Sequence, residues 1–444
     1  MTEFFKKIVI SYLTILTFLK LKLYFKGKII GIAGCYGKSS AVNLIEELIK
    51  KQYKVRSTNY FGKGLNSESG IPFAILGIFP EKYRAIDWLK YSIQALINFF
   101  QPFDYDYLIL EMGVDRPGDM KFLTKYFCPD IGILLNSNNT HSANFENLHI
   151  DTGRTYEDLI SEENGYVFEK SKEAIFYNLD DPEVMKQVNR FSGSQKIGFS
   201  GAASHHIKSF IPSINGTKIT FVSESHTYSI NYKEPLLDEY QSSFELLVKI
   251  ADFLKINSKN LISTIENFEL PPSRCTLFKG LNNSYILDSS YNSSFVPTSS
   301  ALKLLKDISP GRKVAVLGDM RELGELSEQE HKKLAHIAAK FTDIVITIGP
   351  MMKKYFVPEF RLIKNENQEI FSFEKTKEAL DFIKKNSYEF VQSNDIILVK
   401  GSQNTLFLEI VVEDLLANKE DAQKLCRRDA LYNQKRLELL SMVN

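Results

Sequence analysis

The 444-residue sequence has one tryptophan, four cysteines and almost no excess of either charge, and each shortage removes a class of protein. Cys35, Cys128, Cys275 and Cys426 stand far apart, without the spacing of a zinc site or the density of a disulfide framework, so a reducing compartment is expected. With 55 Lys and Arg against 54 Asp and Glu, the chain lacks the basic footprint of a nucleic-acid binder, and its partner is expected to be a small molecule. Internal repeats and low-complexity tracts are missing as well. The longest apolar run, Ile8 to Leu19, is flanked by Lys6, Lys7, Lys20 and Lys22 and falls short of the roughly 20 residues of a membrane span. No small-residue cleavage site follows it, so it reads as a packed helix or one lying at a lipid interface, with a span as the third alternative. A second apolar stretch, Ala85 to Phe100, is expected to pack against it or share its surface.

What remains is a composition of 44% hydrophobic and 25% charged residues, that of a soluble globular enzyme. At about 150 residues per domain, the length calls for two to three cores. Strand-length apolar runs at Lys28 to Ala33, Tyr107 to Leu110, Ile131 to Leu135 and Ala174 to Tyr177 alternate with helical or polar stretches such as Ser40 to Lys50, the pattern of a mostly parallel α/β sheet. Residues 196–235 read as antiparallel hairpins on the same domain. Beyond the Pro271-Pro272 break, runs at Ser284 to Leu287, Lys313 to Leu317, Ile344 to Ile348 and Ile396 to Val399 predict a second, Rossmann-like α/β domain. The expected division is a short apolar segment over 1–27, a P-loop mononucleotide-binding domain over 28–272 and a C-terminal domain over 273–444.

The strand at Lys28 runs into Gly31-Ile-Ala-Gly-Cys-Tyr-Gly-Lys-Ser39, a Gly-Lys-Ser at a strand-to-helix junction. There, backbone N–H groups and a helix N-terminus favour a polyphosphate, Lys38 would hold the β/γ-phosphates and the Ser39 hydroxyl would ligate Mg²⁺. The general phosphate-loop pattern wants glycine five residues before Gly37, where Ile32 stands; the glycine is at Gly34 instead.

That variant, Ala33-Gly34-Cys35-Tyr36-Gly37-Lys38-Ser39-Ser40, resembles the T-G-x-x-G-K-T-T loop of the Mur ligase family, and the resemblance continues along most of the chain. Gly64-Leu-Asn-Ser-Glu-Ser-Gly-Ile-Pro72 is similar to the family's G-N-L-N-N-E-x-G-x-P, with Asn66 and Glu68 keeping polar side chains. Glu111 ends an apolar strand and is followed by Asp115, Pro117, Gly118 and Asp119; a carboxylate at a strand end beside a phosphate loop is where a magnesium ligand belongs. Asn136 to His141 resembles N-x-x-x-x-H, whose histidine binds a second Mg²⁺ in these enzymes. Pro272-Ser-Arg274 resembles P-G-R, which makes Arg274 a nucleotide and catalytic residue beside Lys38 and His141. Asp288, Tyr291 and Asn292 match a D-D-S-Y-N-A-N-P signature. The most specific run, Arg312-Lys-Val-Ala-Val-Leu-Gly-Asp-Met-Arg-Glu-Leu-Gly-Glu325, is similar to the branch that adds D-alanyl-D-alanine; His331 and Leu398 to Ser402 follow it. By resemblance Asn66, Asp319 and Lys400 bind substrate, while Ser39, Glu111 and His141 hold metal.

Three family features are missing. The lysine that becomes a carbamate would fall at Asn164, and Glu162 or Glu163 is the expected substitute carboxylate. Glu239 to Phe244 replaces the adenine-side H-N-x-x-N, so adenine contacts are unassigned. About 27 residues precede the first strand, where the family usually has a UDP-binding domain, so a lipid-linked donor or a separate donor-holding protein is expected.

The implied reaction is ATP-dependent joining of a peptide carboxylate to an amine through an acyl phosphate, with closure of the two α/β domains excluding water. The implied partners are a UDP-muramyl peptide and D-alanyl-D-alanine, and a cytoplasmic monomer with possible peripheral membrane contact through its N-terminus is expected. Two alternatives stay open, a related ligase with another acceptor and a non-catalytic nucleotide-binding partner.

Overall fold

A strand covered on both faces needs no polar alternation, and β1 (Lys28–Ala33) is buried at every position after Lys28 in the computed structural model. The structure describes residues 3–59, 65–193, 195–200, 206–223, 226–386, 390–402 and 405–441; Gly64, which opens the Gly64 to Pro72 segment, lies outside them. β1 is flanked by β3 (Tyr107–Glu111) and β4 (Ile131–Leu134), both buried throughout. With β2 (Val55–Ser57), β5 (Ala174–Asn178) and β6 (Gln195–Phe199) they form a six-stranded sheet in the order β2-β3-β1-β4-β5-β6, parallel at every pairing. The chain leaves β1 toward β2 and leaves β4 toward β5, on opposite sides. Their carboxyl ends therefore open the crevice where such sheets hold ligands.

The helices of this first unit follow from apolar spacing. In α2 (Lys38–Ile49), Ala41, Leu44, Ile45 and Leu48 bury one face. α1 (Glu3–Tyr24) is longer than the apolar run within it, α3 (Gly70–Leu76) is buried throughout, and α4 (Ala85–Phe99) fulfils the expectation of a partner for α1. Tyr12 Oη donates to the Ser92 carbonyl at 3.1 Å. Lys20 Nζ donates to the carbonyls of Asn98, Phe99 and Gln101 at 2.8, 3.1 and 2.6 Å, satisfying the carboxyl end of α4. Among the described residues no helix is long and apolar enough to cross a membrane. α5 (Asp119–Tyr126), α6 (Glu146–Thr152) and α7 (Tyr156–Glu169) follow.

The hairpins expected over 196–235 are a three-stranded sheet, β7 (Ile207–Ser213), β8 (Gly216–Ser223) and β9 (His226–Tyr232). Residues 208–221 and 227–240 group with the second compact unit, which continues from Glu269. The physical reason is that Ile214 and Leu237 pack on the core of the second unit.

That second unit carries β10 (Thr276–Lys279), β11 (Tyr285–Asp288), β12 (Lys313–Gly318), β13 (Ile344–Ile348), β14 (Glu369–Phe373) and β15 (Ile396–Lys400) in the order β10-β11-β15-β12-β13-β14. Only the β10–β11 pairing is antiparallel. Alternate residues face opposite cores: Val314, Val316, Ile397 and Val399 on one side, Ala315, Leu317, Ile396 and Leu398 on the other.

Candidate active site

The loop between β1 and α2 turns within van der Waals distance of the loop after β4. At Gly34 φ is +142°, and a Cβ there would lie 3.2 Å from Leu135 Cβ and 3.3 Å from the Asn136 backbone, so both conformation and space require glycine. Gly37 ends the turn at φ +79° and leads into α2. Asn136 holds the turn between them. Its Oδ1 accepts from the backbone N–H of Cys35 and Tyr36 at 3.0 and 3.1 Å, and its Nδ2 donates to the Tyr36 carbonyl at 3.0 Å. The Cys35 sulfur accepts from the Asn138 backbone N–H at 3.2 Å, and burial pushes the thiol pKa up, which keeps it protonated and unreactive. Lys38 Nζ is drawn over the loop, donating to the Gly34 carbonyl at 2.6 Å. Ser39 and Ser40 begin α2, and the Ser39 carbonyl accepts from Asn59 at 3.3 Å.

Glu111 ends β3 directly beside β1, in register with Ile32. It is 2% exposed; Oε1 accepts from Asn66 Nδ2 at 2.9 Å, while Oε2 is buried with no hydrogen-bond partner. Such an oxygen carries a desolvation cost of about 1–3 kcal/mol unless something satisfies it. No cluster of three or more His, Cys, Asp or Glu suited to a metal occurs among the described residues. A buried carboxylate oxygen with no protein partner is the kind of ligand that a hard cation such as Mg²⁺ takes together with phosphate oxygens and water. His141, at φ +66° on the loop after β4, has Nε2 3.4 Å from Asp115 Oδ1.

In the second unit the register pairs Asp288 with Val399 and Leu317 with Lys400, bringing three strand ends together. Asp288 is fully buried, accepts from Ser273 Oγ at 2.6 Å and from the Ser290 backbone N–H at 3.0 Å, and has its pKa raised by burial. Lys400 Nζ donates to Ser289 Oγ at 3.1 Å and the Asn292 carbonyl at 2.9 Å; burial pushes its pKa down to about 8. The Arg274 guanidinium lies 4.6 Å from the Tyr291 ring centroid. Asp319 accepts from the backbone N–H of Met352 at 2.7 Å and Met351 at 3.3 Å, so its carboxylate orders the start of the helix after β13.

Residues 32–242 match the Mur ligase middle domain and residues 273–403 match the Mur ligase glutamate ligase domain. The chain belongs to the Mur ligase family. It is 26% identical over 413 residues to the UDP-N-acetylmuramoyl-tripeptide--D-alanyl-D-alanine ligase of Buchnera aphidicola, covering 90% of this chain and 78% of that protein. Its fold is similar to MurF from Acinetobacter baumannii, with a TM-score of 0.74, 18% identity and coverage of 91% and 80% of the two chains. It is also similar to MurF ligase from Thermotoga maritima in complex with ADP, with a TM-score of 0.72, 22% identity and coverage of 94% and 84%.

Within this Mur ligase, Asn164, the position expected for the family's modified lysine, is a buried residue of α7 whose Nδ2 donates to the Ile160 carbonyl at 2.9 Å. The expected substitutes are engaged elsewhere. Glu162 pairs with Arg154 on the surface, and Glu163 Oε1 accepts from the Met120 backbone N–H at 2.8 Å at the start of α5. Adjacent positions on a helix point about 100° apart, so Glu162, Glu163 and Asn164 face different neighbours. Sequence reasoning also missed Arg427, which joins the second site by pairing with buried Glu409 at 2.9 Å and donating to the Ser290 and Tyr291 carbonyls. Its partners lie far along the chain and form no motif.

Proposed function

We propose that this Mur ligase joins D-alanyl-D-alanine to the terminal carboxylate of a UDP-muramyl tripeptide, consuming ATP through an acyl phosphate. The observation that carries this is the turn over Gly34–Gly37, clamped by Asn136, with the unpartnered Glu111 oxygen on the adjacent strand. The substrates follow from the relatives' printed names and from the Arg312 to Glu325 run.

The peptide carboxylate oxygen attacks the γ-phosphorus as the bond to ADP breaks. The amine nitrogen then attacks the acyl carbon, loses a proton, and phosphate departs with the carboxylate oxygen. Lys38, released from the Gly34 carbonyl, binds the β/γ-phosphates, and the backbone N–H groups from Gly37 to Ser40 at the start of α2 cradle them. Mg²⁺, held by Ser39 and Glu111 with His141 at a second ion, would supply charge neutralisation on the phosphoryl oxygens. Arg274, Asp288, Tyr291 and Asn292 serve the nucleotide, with Arg274 also catalytic as a rigid fork for phosphate oxygens. Asn66, Asp319 and Lys400 serve the substrates. The enzyme acts as a cytoplasmic monomer.

The test is phosphate release from ATP with UDP-muramyl tripeptide, with and without D-alanyl-D-alanine, against Lys38→Ala. Release that needs both substrates and is lost in the variant supports the reading. Nucleotide binding without release under any combination overturns it, and release driven equally well by other amines overturns the assigned acceptor.

A further inference from the structure

Helices α1 and α4 are apolar on two sides, and only one side of each is used by the fold. Inward, Val9 and Leu13 of α1 and Trp88, Tyr91 and Ala95 of α4 share one core. Outward, Ile86, Leu89, Ile93, Leu96, Ile97 and Phe100 are each 51–67% exposed. Steps of three and four residues place them on a single stripe. α1 adds exposed Ile8, Ile15, Leu19 and Leu23 at the same kind of spacing. Apolar side chains scattered singly over a surface need no explanation, but two stripes on helices packed together mark an interaction surface.

Charge selects the partner. Residues 3–26 and 79–101 carry eight Lys and Arg against Glu3, Glu81 and Asp87, whereas the whole chain has 55 against 54. Lys20 is buried under the carboxyl end of α4 and Arg84 pairs with Asp87, but Lys6, Lys22, Lys26 and Lys90 are exposed around the stripes. A second copy seated on this face would bring lysines against lysines. Anionic headgroups complement them, and each such charge adds attraction within a Debye length of the surface.

We propose that the α1–α4 face docks the protein peripherally on an anionic phospholipid surface. The aliphatic stripes enter the boundary between headgroups and acyl chains, with both helices lying in the surface plane and the lysines among the phosphates. This goes beyond an N-terminal contact, because α4, far along the chain, supplies the more continuous stripe.

The full-length protein is tested by flotation with vesicles of phosphatidylcholine alone and with roughly 30% phosphatidylglycerol, at low salt and at roughly 0.5 M salt. Flotation with the anionic vesicles only, reversed by salt, is expected. The double variants Leu89→Glu with Ile93→Glu and Lys22→Glu with Lys90→Glu should each lower the bound fraction on the order of tenfold, with the thermal melt unchanged. Equal flotation with both vesicle types, or none with either, overturns the proposal. A mass twice that of the monomer, abolished by Leu89→Glu with Ile93→Glu and unaffected by lipid, overturns it in favour of a second copy.

Discussion

Asn66 Nδ2 donates to Glu111 Oε1 at 2.9 Å and leaves the second carboxylate oxygen buried without a partner. The amide orients the carboxylate, and the free oxygen is available to a cation.

Glu111→Gln therefore separates function from stability. It removes the anionic ligand, and ATP turnover should fall by roughly 100-fold or more. A neutral amide costs less to bury than a carboxylate, so the free energy of unfolding should stay within about 1 kcal/mol of the parent or rise. Calorimetry beside the phosphate-release assay checks both; retained turnover would remove Glu111 from the metal site.

Asn136→Ala deletes three hydrogen bonds to the phosphate loop. At about 1 kcal/mol net for each, the loop loses its single conformation, and KM for ATP should rise on the order of tenfold with a smaller change in kcat. Steady-state kinetics with ATP varied will distinguish this from a general loss of fold, which would lower the active fraction at unchanged KM.

His331 in the second unit accepts from the Met320 backbone N–H through Nε2 at 3.2 Å and sits 2.7 Å from the Ser327 carbonyl through Nδ1, an arrangement that fits the neutral ring. Burial lowers its pKa. The unfolded chain takes up a proton near pH 6.5 that the folded chain refuses, so its contribution is present above that pH and is lost as pH falls below it. The parent should lose stability more steeply than His331→Gln between pH 6.5 and 5, by at most about 1.4 kcal/mol per pH unit, in urea unfolding. Parallel curves would contradict a buried neutral imidazole.

Arg427→Met leaves Glu409, which is fully buried, without its cation. That should cost about 3–5 kcal/mol, while adding Glu409→Met to the same chain should recover much of it. Chemical denaturation of the single and double variants checks the sign of the recovery.

Much of the architecture was legible because it is local. β1 and β13 begin and end where the apolar runs do, and the phosphate loop was visible because Gly37-Lys38-Ser39 sits at a strand-to-helix junction. The rest depends on residues that meet only in the fold. The Asn136 clamp joins positions about 100 residues apart, and Arg427 reaches Glu409 and Tyr291 without any shared motif. Likewise, the apolar spacing of α4 predicts a helix but cannot say that one of its two apolar sides stays outside.

The most direct test of the ligase account follows oxygen. With ¹⁸O in the terminal carboxylate of UDP-muramyl tripeptide, an acyl phosphate requires that one labelled oxygen leave with phosphate as D-alanyl-D-alanine is joined. Mass spectrometry of the products should find one ¹⁸O per phosphate and one left in the new amide. Unlabelled phosphate alongside joined peptide would contradict carboxylate phosphorylation, and with it the assignment of the loop at Gly34–Ser39 to that step.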